Sequence, residues 1–166
     1  CIDDLNQVKK DDINETIINV KLPVLIPELY ISDLSLRLST YRRLGDLRMY
    51  NEFHAFEEEM KDRFGPVPYE FKNLIEIVKL KSLAAKSKII RIDASTESIL
   101  IFFNKDFNNY TPEFIEWVTK SSDNIKLLDS HKIKIMNNKI VDNENLLLQV
   151  YEIINTIKNI LNIEEY

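Results

Sequence analysis

Glycine is nearly absent: a chain of 166 residues holds two, Gly45 and Gly65. That scarcity limits function before it limits fold. A phosphate-cradling loop needs several glycines so that backbone N–H groups can approach the anion, as in G-x-x-x-x-G-K-[ST] or G-x-G-x-x-G. Neither pattern occurs in this chain, so no nucleotide loop is encoded. The run DRFG at 62–65 has the outline of the kinase metal-binding D-F-G. Arg63 interrupts it, and neither a glycine-rich loop nor an H-R-D catalytic loop accompanies it.

Gly65 stands in EEEMKDRFGPVP, between a charged run and two prolines. Upstream, Phe53, Phe56, Met60 and Phe64 recur at three- and four-residue steps. That spacing predicts a helix over about 49–64 with those four as its buried stripe. Glu59 and Arg63 stand four apart in the favourable acid-first order, and Asp62 lies beside them on the outward flank. Gly65 follows the last periodic residue, where a helix commonly ends in a left-handed residue that glycine adopts without strain. Pro66 cannot continue the helix, and Pro68 opens the next one.

Elsewhere the pattern reads as follows. TIINVKLPV from Thr16 alternates like a strand, and Pro23 and Pro27 bracket a rigid segment before Tyr30 and Ile31. Asp33 is placed to cap a helix over about 34–44, with Leu34, Leu38, Tyr41 and Leu44 on one side. A third helix, about 69–86, carries too wide an apolar band for one exposed surface and should be central. KIIRI at 88–92 and ILIFF at 99–103 read as strands, and IKLL at 125–128 with KIKIM at 132–136 as a hairpin. Helices are expected over 111–120, with Trp117 inward, and over about 145–161. The fold class is α+β, a single domain of helices on a small hairpin-linked sheet. Residues 1–14, polar and without periodicity, read as a connector from the preceding part of a longer protein, and the domain as residues 15–166.

The remaining chemistry is sparse. One cysteine and two histidines, His54 and His131, form no zinc ligand set, and no metal or other cofactor is expected. Cysteine usage is that of a cytoplasmic chain, and no apolar run approaches the roughly 20 residues that span a bilayer. A net charge of −5 argues against duplex DNA as the main partner. Local basic clusters exist: Arg37, Arg42, Arg43 and Arg48 form one, and Lys79, Lys81, Lys86, Lys88 and Arg91 another. Solvated helix faces account for both, while a nucleic-acid accessory role for the Arg37–Arg48 cluster, with Tyr41 and Tyr50, is the alternative from another class. Glu57 to Glu59 is a carboxylate run whose neighbours point in different directions, so a solvated face explains it better than an acid–base pair. His54 reads as a core-edge residue and His131 as a turn residue. No catalytic residue can be assigned.

The segments LPVLIPELYISDLSLRLSTYRRL and EEEMKDRFGPVPYEFKNLIEIVKLKSLAAK resemble the C-terminal domain of the bacterial transcription-repair coupling factor, Mfd. The resemblance rests on Ile26, Pro27, Tyr30 and Ile31, on Arg37, Leu38, Tyr41, Arg43 and Leu44, and on Glu59, Asp62, Arg63, Phe64, Gly65 and Pro68. It is dense over about 22–93 and loose afterwards. Ser87 stands where that family usually has glycine. The resemblance implies a domain with no enzymatic activity at the end of a DNA-translocating ATPase that acts on stalled RNA polymerase and recruits excision repair. Such a domain clamps a UvrB-like module of its own chain and masks the surface that binds UvrA. DNA would be engaged through the parent motor rather than this domain. Glu59, Asp62 and Arg63 are then the expected interface, held at a corner formed by Gly65, Pro66 and Pro68. An ordinary intrahelical Glu59–Arg63 pair beside a solvated Asp62 is the plainer reading of the same residues.

Overall fold

The computed structural model describes residues 16–105, 111–137 and 142–162. The expected connector over 1–14 lies outside them. The architecture is α+β, with five helices and one five-stranded mixed sheet among the described residues. The chain divides into two compact units, Leu22–Leu80 and a second made of the preceding residues with Lys81–Glu165.

The Leu22–Leu80 unit holds α1 (Leu34–Asp46), α2 (Tyr50–Phe64) and most of α3 (Tyr69–Lys86). Asp33 starts α1 as its spacing predicts, its carboxylate accepting from the Leu36 N–H at 2.7 Å. The buried side of α1 differs from the predicted one. Thr40 and Leu44 are buried and Leu36 packs on the same core, whereas Leu34 and Leu38 are 59% and 47% exposed. Tyr41 helps to set this rotation, since its hydroxyl accepts the Ile26 N–H at 2.7 Å. Glu52 begins α2 by reaching back to the N–H groups of Arg48 and Met49, at 2.8 and 3.1 Å. The stripe of α2 behaves as its period requires: Phe53, Phe56 and Met60 are buried and Phe64 is half-buried among Ile26, Ile31, Phe71 and Ile75.

The second unit is built on the sheet, in order β1-β2-β3-β5-β4. β2 (Ile89–Ala94) and β3 (Ser98–Phe103) form one antiparallel hairpin, and β4 (Ile125–Asp129) and β5 (Lys132–Met136) another. β1 is shorter than its alternation suggests, Ile17–Asn19, and joins β2 in parallel with Ile17 opposite Arg91. Period-two alternation sends Ile92, Ile99, Ile101 and Ile133 to a buried face. α4 (Pro112–Lys120) is capped by Thr111 and packs Phe114 edge-on against Phe103 at 5.8 Å. Trp117 is half-buried and meets Phe114 at 5.4 Å. α5 (Asn143–Ile160), capped by Asp142, buries Leu146, Val150, Ile154 and Ile157.

Two backbone positions bear on the glycine argument. Ser87 is fully buried, donates its hydroxyl to the Leu83 carbonyl at 3.2 Å, and has no positive φ. The left-handed residue before β2 is the next one, Lys88, at φ 62°. The conformation that favours glycine therefore sits one position beyond the serine.

Candidate interaction site

The Gly65 corner is built by the proline-flanked segment that precedes α1. The Tyr30 hydroxyl lies 2.9 Å from the Met60 carbonyl and 2.8 Å from that of Gly65, donating to both in a three-centre bond. The bond ties the last turn of α2 to the residue just beyond it. Its ring packs against Phe64 and Phe71, at 5.6 and 5.7 Å between centroids, and burial raises the phenol's pKa. Gly65 itself has φ 87° and ψ −168°. Its φ is positive as the helix-end reading requires, but its ψ takes it out of the left-handed helical well. It occupies the extended mirror region that is essentially open to glycine alone. Pro66 is exposed, Val67 beyond it is buried, and the Pro68 carbonyl accepts from Phe71 and Lys72 at 3.1 and 2.9 Å to start α3.

Glu59, Asp62 and Arg63 project from the last turns of α2. Arg63 Nη1 reaches Glu59 Oε2 at 3.3 Å, the predicted pair. The stronger partner is one that sequence spacing does not reveal. Arg43 on α1 forks onto Glu59, Nη1 to Oε2 at 2.7 Å and Nη2 to Oε1 at 2.9 Å. Each guanidinium also faces a ring, Arg43 over Phe56 at 5.5 Å and Arg63 over Phe64 at 5.0 Å, which restricts both side chains. The Arg43 hydrogen bond, with the charge of both arginines, holds the Glu59 carboxyl below its usual pKa range against the opposing effect of burial. Asp62 is exposed and has no ion-pair partner among the described residues.

The Arg37–Arg48 cluster is largely engaged within the fold. Arg37 donates to the Ile31 carbonyl at 2.9 Å, Arg48 to the Gly45 and Leu47 carbonyls at 2.7 Å each, and Arg43 is held by Glu59. The second basic cluster is spread over α3 and β2, where Lys79 pairs with Glu76 at 2.9 Å and Arg91 with Asp93 at 3.0 Å.

Nothing here assembles an acid–base pair. Lys61 serves Glu58 at 2.9 Å and Glu57 at 3.9 Å. The carboxyls of Glu58 and Glu59 are both lowered, by Lys61 and by Arg43 respectively, so neither is a proton donor near neutral pH. His54 is exposed, not at the core edge, because the buried stripe passes on either side of it through Phe53 and Phe56. His131 lies in the β4–β5 turn. No group of three or more potential metal ligands exists among the described residues, and no described helix is long and apolar enough to cross a membrane.

Residues 20–113 match the family described as the TRCF domain. The transcription-repair-coupling factor of Rickettsia prowazekii (strain Madrid E) is 36% identical over 143 residues, 86% of this chain and 12% of that protein. That of Haemophilus influenzae (strain Rd) is 31% identical over 140 residues, 84% of this chain and 12% of that protein. The chain thus spans about 12% of the length of these relatives. Among solved structures, the crystal structure of the C-terminal domain of a transcription-repair coupling factor superposes with a TM-score of 0.68. It shares 22% identity, over 87% of this chain and 94% of that one, which is a likeness of fold.

Proposed function

The chain belongs to the TRCF domain family, and from that premise we propose that it is the non-catalytic, autoinhibitory C-terminal domain of a transcription-repair coupling factor. The parent would be a cytoplasmic DNA-translocating ATPase that removes stalled RNA polymerase and recruits excision repair through UvrA. In this reading residues 15–166 clamp a UvrB-like module of the same protein and cover its UvrA-binding surface. The observation that carries it is the arrangement at the end of α2. Glu59 is fixed by two arginines, each against an aromatic ring, while Asp62 stands beside it exposed and without an ion-pair partner among the described residues. A polar patch whose geometry is set in advance loses less entropy on docking. An unpaired carboxylate at its edge leaves a charge for the partner to complement, and modest energies suit a clamp that must open.

The reading is tested by Asp62→Lys in the full-length parent. Asp62 makes no ion pair with any described residue, so the variant should keep its fold and repel the partner surface. The expected result is about tenfold tighter UvrA binding, about 1.4 kcal/mol, with faster basal ATP turnover. Wild-type values of both in a folded variant would return Asp62 to a solvated helix face. The nucleic-acid reading of the Arg37–Arg48 cluster is the weaker one, since Arg37, Arg43 and Arg48 already hold partners within the fold.

A further inference from the structure

The sheet's second face lies opposite its buried isoleucines and carries a different composition. Register aligns Arg91 of β2, Phe102 of β3 and Lys132 of β5 in one cross-strand row. Arg91 and Lys132 flank the Phe102 ring, 5.5 and 4.7 Å from its centroid. The next row continues from Leu100 through Lys134 to Lys126 on the edge strand β4. Arg91 and Lys126 are exposed and Leu100, Phe102, Lys132 and Lys134 half-buried, so both rows reach solvent.

This face concentrates positive charge on a chain whose net charge is −5. Lys126 stands directly opposite Lys134, and neither has an ion-pair partner among the described residues. Like charges directly opposite across two strands destabilise a sheet. The nearby carboxylates do not relieve this pair: Asp93 is held by Arg91 and by Asn19 at 2.7 Å, and Asp129 accepts the His131 N–H. Such a pair costs stability in the free chain and ceases to do so when an anion lies across it.

We propose that this open face, centred on Phe102 between Arg91 and Lys132 and extended by Lys134 and Lys126, binds single-stranded nucleic acid. Lys132, Lys134 and Lys126 would take phosphates, Arg91 being held by Asp93, and the Phe102 ring an unstacked base, the pairing of charge and ring that serves single strands. A purely acidic protein surface would use the lysines and leave the ring without a role. A duplex keeps its bases stacked and unavailable to Phe102. The proposal is independent of the clamp, which involves other residues.

The test is fluorescence anisotropy of a labelled oligothymidylate titrated with the 166-residue chain. Saturable binding is expected, weakening steeply as salt rises from about 50 to about 200 mM. Lys132→Glu with Lys134→Glu should weaken it about tenfold or more, and Phe102→Leu about fivefold at fixed salt. Lys134→Glu places a carboxylate opposite Lys126 and relieves that pair, while Lys132→Glu places one opposite Asp129, so the melting temperature of the charge variant is measured beside its affinity. If the variant melts lower than wild type, Lys126→Glu on the edge strand replaces it, with the same loss expected. Absence of saturable binding, wild-type affinity in folded sheet variants, or equal affinity for a duplex of the same length overturns the proposal. Displacement by polyglutamate as effective as by unlabelled oligothymidylate also overturns it, and would make the face a dock for an acidic protein.

Discussion

Gly65 separates two explanations for a glycine at a helix end. An added Cβ would meet nothing within 4 Å, so the demand is made by the backbone alone. Were the residue in the left-handed helical well, asparagine would serve nearly as well as glycine. At φ 87° and ψ −168° it should not. Gly65→Asn and Gly65→Val are both expected to cost about 1–3 kcal/mol, read as a lowered urea midpoint at unchanged slope. A near-wild-type midpoint for the asparagine variant would place the residue in the ordinary left-handed well. Glu59 gives a second test at this scale. Its folded pKa lies below the ordinary 4.5, so its contribution is present above that value and is lost as pH falls through the lower folded one. Because Glu59 and its arginines are more than a third exposed, Glu59→Gln should cost only about 0.5–1 kcal/mol at pH 7. The difference between the two melting temperatures should begin to shrink as pH falls below 4.5 and close once it has passed the lower folded value. A gap that persists there would mean the loss is one of packing.

Between elements, Tyr30 carries the most. One hydroxyl ties the segment before α1 to the last turn of α2, and Tyr30→Phe keeps the ring contacts while removing only that bond. A loss of about 1 kcal/mol in chemical denaturation is expected, and no loss would leave the capping role to water. The limits of α2 and α3 were legible in the sequence because local signals mark them: a stripe at helical spacing, then Gly65, Pro66 and Pro68. The interface residues themselves were legible only as a pattern of charge. Arg43 was not legible as the main partner of Glu59, since the two are 16 positions apart on different helices and no local spacing rule joins them. The parallel pairing of β1 escaped for a similar reason: three residues find their partners more than 70 positions away. The face of α1 agrees with its spacing at Tyr41 and Leu44, which pack on the core, and departs from it at Leu34 and Leu38, whose places are taken by Leu36 and Thr40.

For the molecule as a whole, net negative charge is a weak guide to where positive charge gathers. Of the arginines clustered in sequence, Arg37 and Arg48 bond to carbonyls and Arg43 to Glu59, while Lys126, Lys132 and Lys134 are brought together by strand register. The placement of the single tryptophan has a practical consequence. Trp117 belongs to the unit that contains the sheet, and its environment is set by Phe114. Tyr30 and Tyr41, by contrast, belong to the Leu22–Leu80 unit. Excitation of the indole therefore yields an optical signal from one unit, and the part of the near-ultraviolet tyrosine ellipticity that changes with Tyr30 registers the other. In the absence of denaturant, Tyr30→Phe should alter the tyrosine bands and leave the wavelength of maximum tryptophan emission unchanged. A spectral shift of the indole in that variant would show that the loss of one hydroxyl is felt as far as Phe114, and emission would then no longer serve as a reporter of the sheet unit alone.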